Sequence, residues 1–418
     1  MSTSLQVLLL IALLITAAKT AGFLASRLGL PVVLGELLAG VVLGPSALNI
    51  WQMHWLSPVG EKGASVAGVF KVLAQVGVVI LMFVAGLETD IQMAKRTLKP
   101  AFWAASGGVV LPMVSGYLFS RWVGFDWRQA LFIGTILTAT SVTITAQTLM
   151  NLSQIRSQAG STILGAAVID DVMGLIVLSL VIAVSANSGA GGAGRWNSVV
   201  VPVTYMTGCL VAMFTAGPYL TRWVMKHAAR MQGHYMKVAA ALAIAFLMAF
   251  TAESLGKMAA ITGAYLAGLF VASTPSHEPV TKDLRAMTNS FFGPMFLVSI
   301  GLDVNAWQSG GHLGFFALFL LVAIVGKIVG CGFGASFAGF GRRDSFIVGI
   351  GMIPRGEVGL ITASIGFAAG LVTRDIYAQA VVLVLITTLV TPALLRYAFP
   401  REHLQASVSE TAAVEISL

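Results

Sequence analysis

Ile163-Leu-Gly-Ala-Ala-Val-Ile-Asp-Asp-Val-Met-Gly-Leu-Ile-Val-Leu-Ser-Leu-Val181 is a lipid-compatible stretch that carries two adjacent acids, Asp170 and Asp171. A carboxylate at mid-membrane depth costs at least ~2.5 kcal/mol on insertion scales. Packing does not account for two of them side by side, so they point to an ion site or a proton relay. Adjacent helix positions differ by about 100° of rotation, at ~3.6 residues per turn. One acid can therefore pair with a neighbouring helix while the other faces a cavity. The same geometry argues against an aspartyl protease, whose two acids share a proton at close range.

The rest of the chain has the same character. Of 418 residues, 57% are hydrophobic and 10% charged, and the apolar runs are of the ~20-residue length that spans a bilayer. They predict an all-α polytopic membrane protein of about thirteen transmembrane helices. The spans lie near 5–24, 31–48, 66–87, 99–123, 128–150, 157–186, 197–225, 235–254, 258–274, 283–303, 312–338, 344–370 and 376–398. The first has no basic residues ahead of it and reads as a retained helix rather than a signal peptide. Of the 25 Lys and Arg, most fall on one side if the N-terminus lies outside, among them Lys95, Arg96, Lys99, Lys226, Arg230, Arg342 and Arg343. That bias predicts a multi-pass cell-membrane protein with its C-terminus in the cytoplasm. The net charge of +8 is thus a topology signal and not a sign of nucleic acid. Cys209 and Cys331 lie within spans, the histidines lack metal-ligand spacing, and no nucleotide-binding motif stands at a strand–helix junction. No cofactor and no enzyme constellation is expected.

Three pieces of the first half recur in the second. Gly35-Glu-Leu-Leu-Ala-Gly40 is similar to Gly263-Ala-Tyr-Leu-Ala-Gly268. Met82-Phe83 with Gly86-Leu87-Glu88 is similar to Met295-Phe296 with Gly301-Leu302-Asp303. Each half also has an interruption, at Thr138-Ala-Thr-Ser-Val-Thr-Ile-Thr145 and at Met352-Ile-Pro-Arg-Gly-Glu-Val-Gly359. Six helices, one linker (197–225) and six more force the second copy to start from the opposite side. Such inverted repeats, with interrupted helices in matching positions, mark a transporter's binding site. Pro354 removes a backbone donor and Gly356 loosens the same stretch. Thr140, Ser141 and Thr143 belong to a hydroxyl cluster that competes for backbone partners.

Lys327, between Gly326 and Gly330, is the natural counter-charge for an intramembrane acid, its small neighbours allowing close backbone approach. Arg355 and Glu357 are expected to neutralise exposed helix ends and hold the crossing in place. Glu36 is a candidate for an interdomain surface or a structural hydrogen bond. Glu88, Asp90 and Asp303 read as solvated caps near span ends.

Leu164-Gly-Ala-Ala-Val-Ile-Asp-Asp-Val-Met-Gly-Leu175, Thr140-Ser-Val-Thr-Ile-Thr-Ala146, Gly326-Lys327 and Met352-Ile-Pro-Arg-Gly-Glu-Val-Gly-Leu360 together resemble the NapA-type sodium/proton antiporters of the monovalent cation:proton antiporter superfamily. The resemblance runs to about residue 398 and implies the NhaA-like fold of crossed interrupted helices, whose inverted repeats are a known example. It implies a homodimer, with a dimerisation domain of mainly spans 1–3 and 8–10. The core domain, mainly spans 4–6 and 11–13, moves like an elevator. Residues 399–418 are a short polar tail. By motif position Asp171 would bind the transported Na⁺ or H⁺, Asp170 would pair with Lys327, and Thr140 and Ser141 would sit at the crossing. An Asp-Asp pair with lysine is similar to the electrogenic branch. The expected function is Na⁺/H⁺ antiport, with Li⁺ a further candidate. The alternatives are K⁺/H⁺ antiport and, from another class, a passive cation channel.

Overall fold

The computed structural model describes residues 3–399 apart from 29, 31, 53–65, 186–191, 232–233, 257, 303–312 and 369. The expected Asp303 and the tail 400–418 lie outside the described residues. Among those described the chain is all-helical, and nine helices are long and apolar enough to cross a membrane.

Two sets of helices account for most of the packing. The first contains α1 (Thr3–Arg27), α2 (Val32–Leu43), α3 (Val66–Glu88), α10 (His234–Ser254), α11 (Ala260–Ala272), α12 (His277–Met287) and α13 (Gly293–Leu302). Its closest approaches are made by glycine. A methyl group at Gly86 on α3 would overlap the Tyr265 carbonyl of α11, and one at Gly268 would overlap that of Phe83. Gly40 on α2 and Gly301 on α13 meet in the same way, against Val298 and Val41. Small residues let backbones approach where lipid supplies no hydrophobic drive between helices.

The second set contains α5 (Leu98–Val123), α6 (Trp127–Thr138), α7 (Val142–Asn151), α8 (Gln158–Ser185), α14 (Leu313–Phe337), α15 (Arg342–Gly351), α16 (Glu357–Ala368) and α17 (Arg374–Ala398). The long α9 (Gly192–Arg230) packs on α8, α10 and α11. Gly330 of α14 interlocks with Gly107 of α5. The close approach expected around Lys327 therefore exists, but it seats α14 on α5 rather than on the aspartate helix α8.

Three elements differ from the sequence reading. The span near 283–303 starts earlier, at His277, and runs through a π-helical turn, Thr288–Phe292, between α12 and α13. Pro294 has no N–H to give to the carbonyl four residues back and crowds it, and a widened turn relieves both. A short helix, α4 (Ile91–Arg96), fills the gap between the spans expected near 66–87 and 99–123. Asp90 caps it, accepting from the N–H groups of Gln92 and Met93 at 2.7 and 3.2 Å. The hydroxyl-rich break is also narrower than expected. Only Ala139–Ser141 leave the helix, and Thr143 and Thr145 are already in α7.

Candidate ion-binding site

The two broken helices cross where their breaks meet. The Ser141 N–H donates to the Pro354 carbonyl at 2.7 Å, and Thr145 Oγ1 donates to the Gly351 carbonyl at 2.7 Å. Helix α17 satisfies more of the freed backbone: the Arg355 N–H donates to Thr387 Oγ1 at 3.2 Å, and Thr388 Oγ1 donates to the Arg355 carbonyl at 2.8 Å. Non-helical backbone at membrane depth is tolerated only with such partners. Gly356 is required here, because a side chain there would strike Ser141.

The Arg355 side chain is buried. It donates to the carbonyl of Ala139, the C-cap residue just past α6, and to that of Ala323 on α14 at 3.3 Å. A cation at a helix C-terminus opposes the partial negative charge of the last carbonyls. Glu357 begins α16, where an acid suits the helix N-terminus, but its side chain lies outside the described residues. Thr140, Ser141, Thr143 and Pro354 are all buried at this crossing.

The adjacent aspartates separate as helical rotation requires. Asp170 is buried and its Oδ1 lies 3.2 Å from Nζ of Lys327, which is itself fully buried. Gly108 on α5 leaves room for the neighbouring Cys331: a methyl there would overlap its Sγ and only touch Lys327 Nζ. Asp171 is only half-buried and lines a cleft of about 450 Å³. The cleft lies between the two helix sets, with Val358 and Thr362 of α16 on one side and Gln75 of α3, Glu253 of α10 and Ile261 of α11 on the other. Its lining comes from the Val66 half of α3, the start of α11 and the end of α10.

The Glu88 end of α3 is tied to distant elements, beside a second cavity of about 410 Å³ lined by Leu87, Thr89, Asp90, Gln92, Arg156, Ala272 and His277. Tyr265 Oη donates to Thr89 Oγ1 at 3.4 Å, Arg285 Nε lies 2.6 Å from Glu88 Oε1, and Arg156 Nε donates to the Glu88 carbonyl at 3.0 Å. Glu88 is therefore not the solvated cap expected of a span end: it is 3% exposed, covered by two arginines from distant parts of the chain. Glu36 is also buried. Its Oε1 takes a 2.8 Å bond from Lys19 Nζ, which donates as well to the Asn289 carbonyl in the π-turn at 2.6 Å. It braces α1, α2 and the π-turn, and α2 also touches α7 and α17 of the other set.

Thr262 was missed. Its Oγ1 donates to Asp171 Oδ2 at 3.0 Å from the start of α11. The available signal was a hydroxyl placed directly before the repeated Gly263–Gly268 motif in an apolar run. Gln75 and Glu253, which line the cleft, were passed over as well; neither sits in a recognisable motif.

Crossed half-helices beside a buried acid–lysine pair, with a further acid on a cleft, define the ion-transporter class of membrane protein. Within that class the chain belongs to the family described as sodium/hydrogen exchanger, transmembrane, which it matches over residues 9–398. It is 34% identical over 389 residues to the Na⁺/H⁺-K⁺ antiporter GerN of Bacillus cereus, covering 93% of this chain and 95% of that protein. It is 30% identical over 392 residues to a Na⁺/H⁺ antiporter of Enterococcus hirae, covering 93% and 97%. Its fold is similar to that of the sodium proton antiporter MjNhaP1 from Methanocaldococcus jannaschii, with a TM-score of 0.68, 13% identity and coverage of 97% and 99%. The expected membership of the monovalent cation:proton antiporter superfamily holds.

Proposed function

We propose that this protein is a secondary active antiporter that exchanges Na⁺ for H⁺ across the cell membrane. One observation carries the reading: of two adjacent intramembrane acids, Asp170 is ion-paired out of reach while Asp171 faces an open cleft. A carboxylate on a cleft can hold a cation or a proton but not both, and that competition couples the two fluxes. The antiport activities for which the two relatives are named support the same reading.

The finer mechanism belongs to this proposal. The thirteen spans form two inverted repeats. The reciprocal glycine contacts support this, because α2 meets α13 through Gly40 and Gly301 as the matching α11 meets α3 through Gly268 and Gly86. The α5–α8 and α14–α17 set is the moving core, and the α1–α3 and α10–α13 set is the dimerisation scaffold. With the N-terminus outside, the Asp171 cleft faces outward and the ion pair and hydrogen bonds around Glu88 lie on the cytoplasmic side. If Asp171 alone exchanges its proton, one Na⁺ replaces one H⁺ and no net charge moves. A second proton released by the Asp170–Lys327 pair makes transport electrogenic.

The experiment is Na⁺-driven proton movement in proteoliposomes, with Asp171→Asn as the control and an imposed potential to test charge movement. Full exchange by Asp171→Asn would refute the site, and indifference to potential would remove electrogenicity. A K⁺/H⁺ reading is favoured by one observation, the dual Na⁺ and K⁺ activity in the name of the relative from Bacillus cereus. Competition among Na⁺, Li⁺ and K⁺ separates the two.

A further inference from the structure

Thr262 contacts the ion-binding carboxylate from the opposite helix set. It is the third residue of α11, 3% exposed, and its hydroxyl donates to Asp171 Oδ2 at 3.0 Å. Helix α11 is packed chiefly on α3 and α10, whereas Asp171 rides on α8, which is packed chiefly on α5; α9 touches both α8 and α11. The bond therefore joins the two helix sets that move relative to one another in the exchange reading. A hydrogen bond to an ionised carboxylate is about twice as strong as one between neutral groups. A bound Na⁺ or proton removes the charge that the hydroxyl stabilises.

We propose that Thr262 is a coupling latch: it ties the α8 body to α11 while Asp171 is empty and lets go once either ion has bound. The proposal rests on the exchange reading above and adds what that reading lacks, a reason why the empty carrier stays put. Ion balance gives the consequence. In strict exchange the site crosses with Na⁺ in one direction and with H⁺ in the other. If it also crosses empty, Na⁺ carried in followed by an empty return is net Na⁺ flux with no proton moved. Loss of a hydrogen bond to a charged group shifts an equilibrium on the order of 10- to 100-fold, which sets the expected rise in empty crossings.

Thr262→Val keeps the shape of the side chain and removes the donor, and Thr262→Ser restores the donor. Each is reconstituted as the full chain in liposomes under an inward Na⁺ gradient, with a permeant anion to balance charge. Radiolabelled Na⁺ uptake and internal pH are recorded together. Wild type and Thr262→Ser should show a fixed ratio of Na⁺ gained to protons lost. Thr262→Val should take up Na⁺ in excess of proton loss, with the uncoupled component raised about 10- to 100-fold. Unchanged coupling in Thr262→Val overturns the latch. Reduced transport that high Na⁺ restores without any leak also overturns it, and makes Thr262 a cation ligand instead. If Thr262→Val does not fold, Thr262→Ala is read by the same two criteria. Absence of Na⁺-dependent proton movement in the wild type is a separate result, which would remove the exchange reading and the latch with it.

Discussion

Replacing Lys327 by Met removes the cation of a fully buried pair and leaves Asp170 among apolar groups. At 3.2 Å the attraction between the two charges is about 5 kcal/mol for an effective dielectric of about 20. Desolvation of both groups offsets part of this, and breaking one partner of a buried pair costs about 3–5 kcal/mol. The expected loss for Lys327→Met is therefore about 3–5 kcal/mol. Asp170→Asn should cost a similar amount, while the double variant leaves no unpaired charge and should recover most of the loss. Thermal unfolding of all four purified proteins at one scan rate provides the readout. Single-variant losses that simply add in the double variant would refute the pairing argument.

Two further outcomes follow from packing and from the crossing. Gly268→Val, forced against the Phe83 carbonyl, should cost more than about 3 kcal/mol or prevent folding, whereas Gly174→Ala, with nothing within 4 Å, should be neutral; expression and thermal unfolding compare them. Arg355→Lys cannot serve the carbonyls of Ala139 and Ala323 with one fork, and each lost bond to a charged group costs about 1.5–3 kcal/mol. It should unfold at lower temperature than wild type and exchange more slowly in liposomes, and wild-type behaviour in both assays would exclude the bracing role.

Local chemistry explains what could be read from the chain. Pro354 cannot continue a hydrogen-bonded helix, and a charge such as Lys327 cannot stand alone in hydrocarbon, so the second break and the need for a counter-charge are visible in single residues. The rotation between positions 170 and 171 likewise requires that they face different ways. What stayed hidden depends on partners far away in sequence. Gly330 shows that a backbone approaches, but not that it is that of Gly107. Glu88 looks like a span-end cap because the arginines that cover it, Arg156 and Arg285, come from a later loop and a later helix. Thr262 is one hydroxyl in an apolar run until the fold sets it against Asp171.

The central claim is that one carboxyl group, that of Asp171, takes either a metal cation or a proton. Calorimetric titration of the purified protein with Na⁺ over a series of pH values, in buffers of differing ionisation enthalpy, tests it most directly. The account predicts that, at pH values where that carboxyl is protonated, about one proton leaves Asp171 per Na⁺ bound and the apparent Kd rises about tenfold per unit of acidification, with no binding to Asp171→Asn at any pH. Affinity that is flat with pH, or binding that survives in Asp171→Asn, would contradict it.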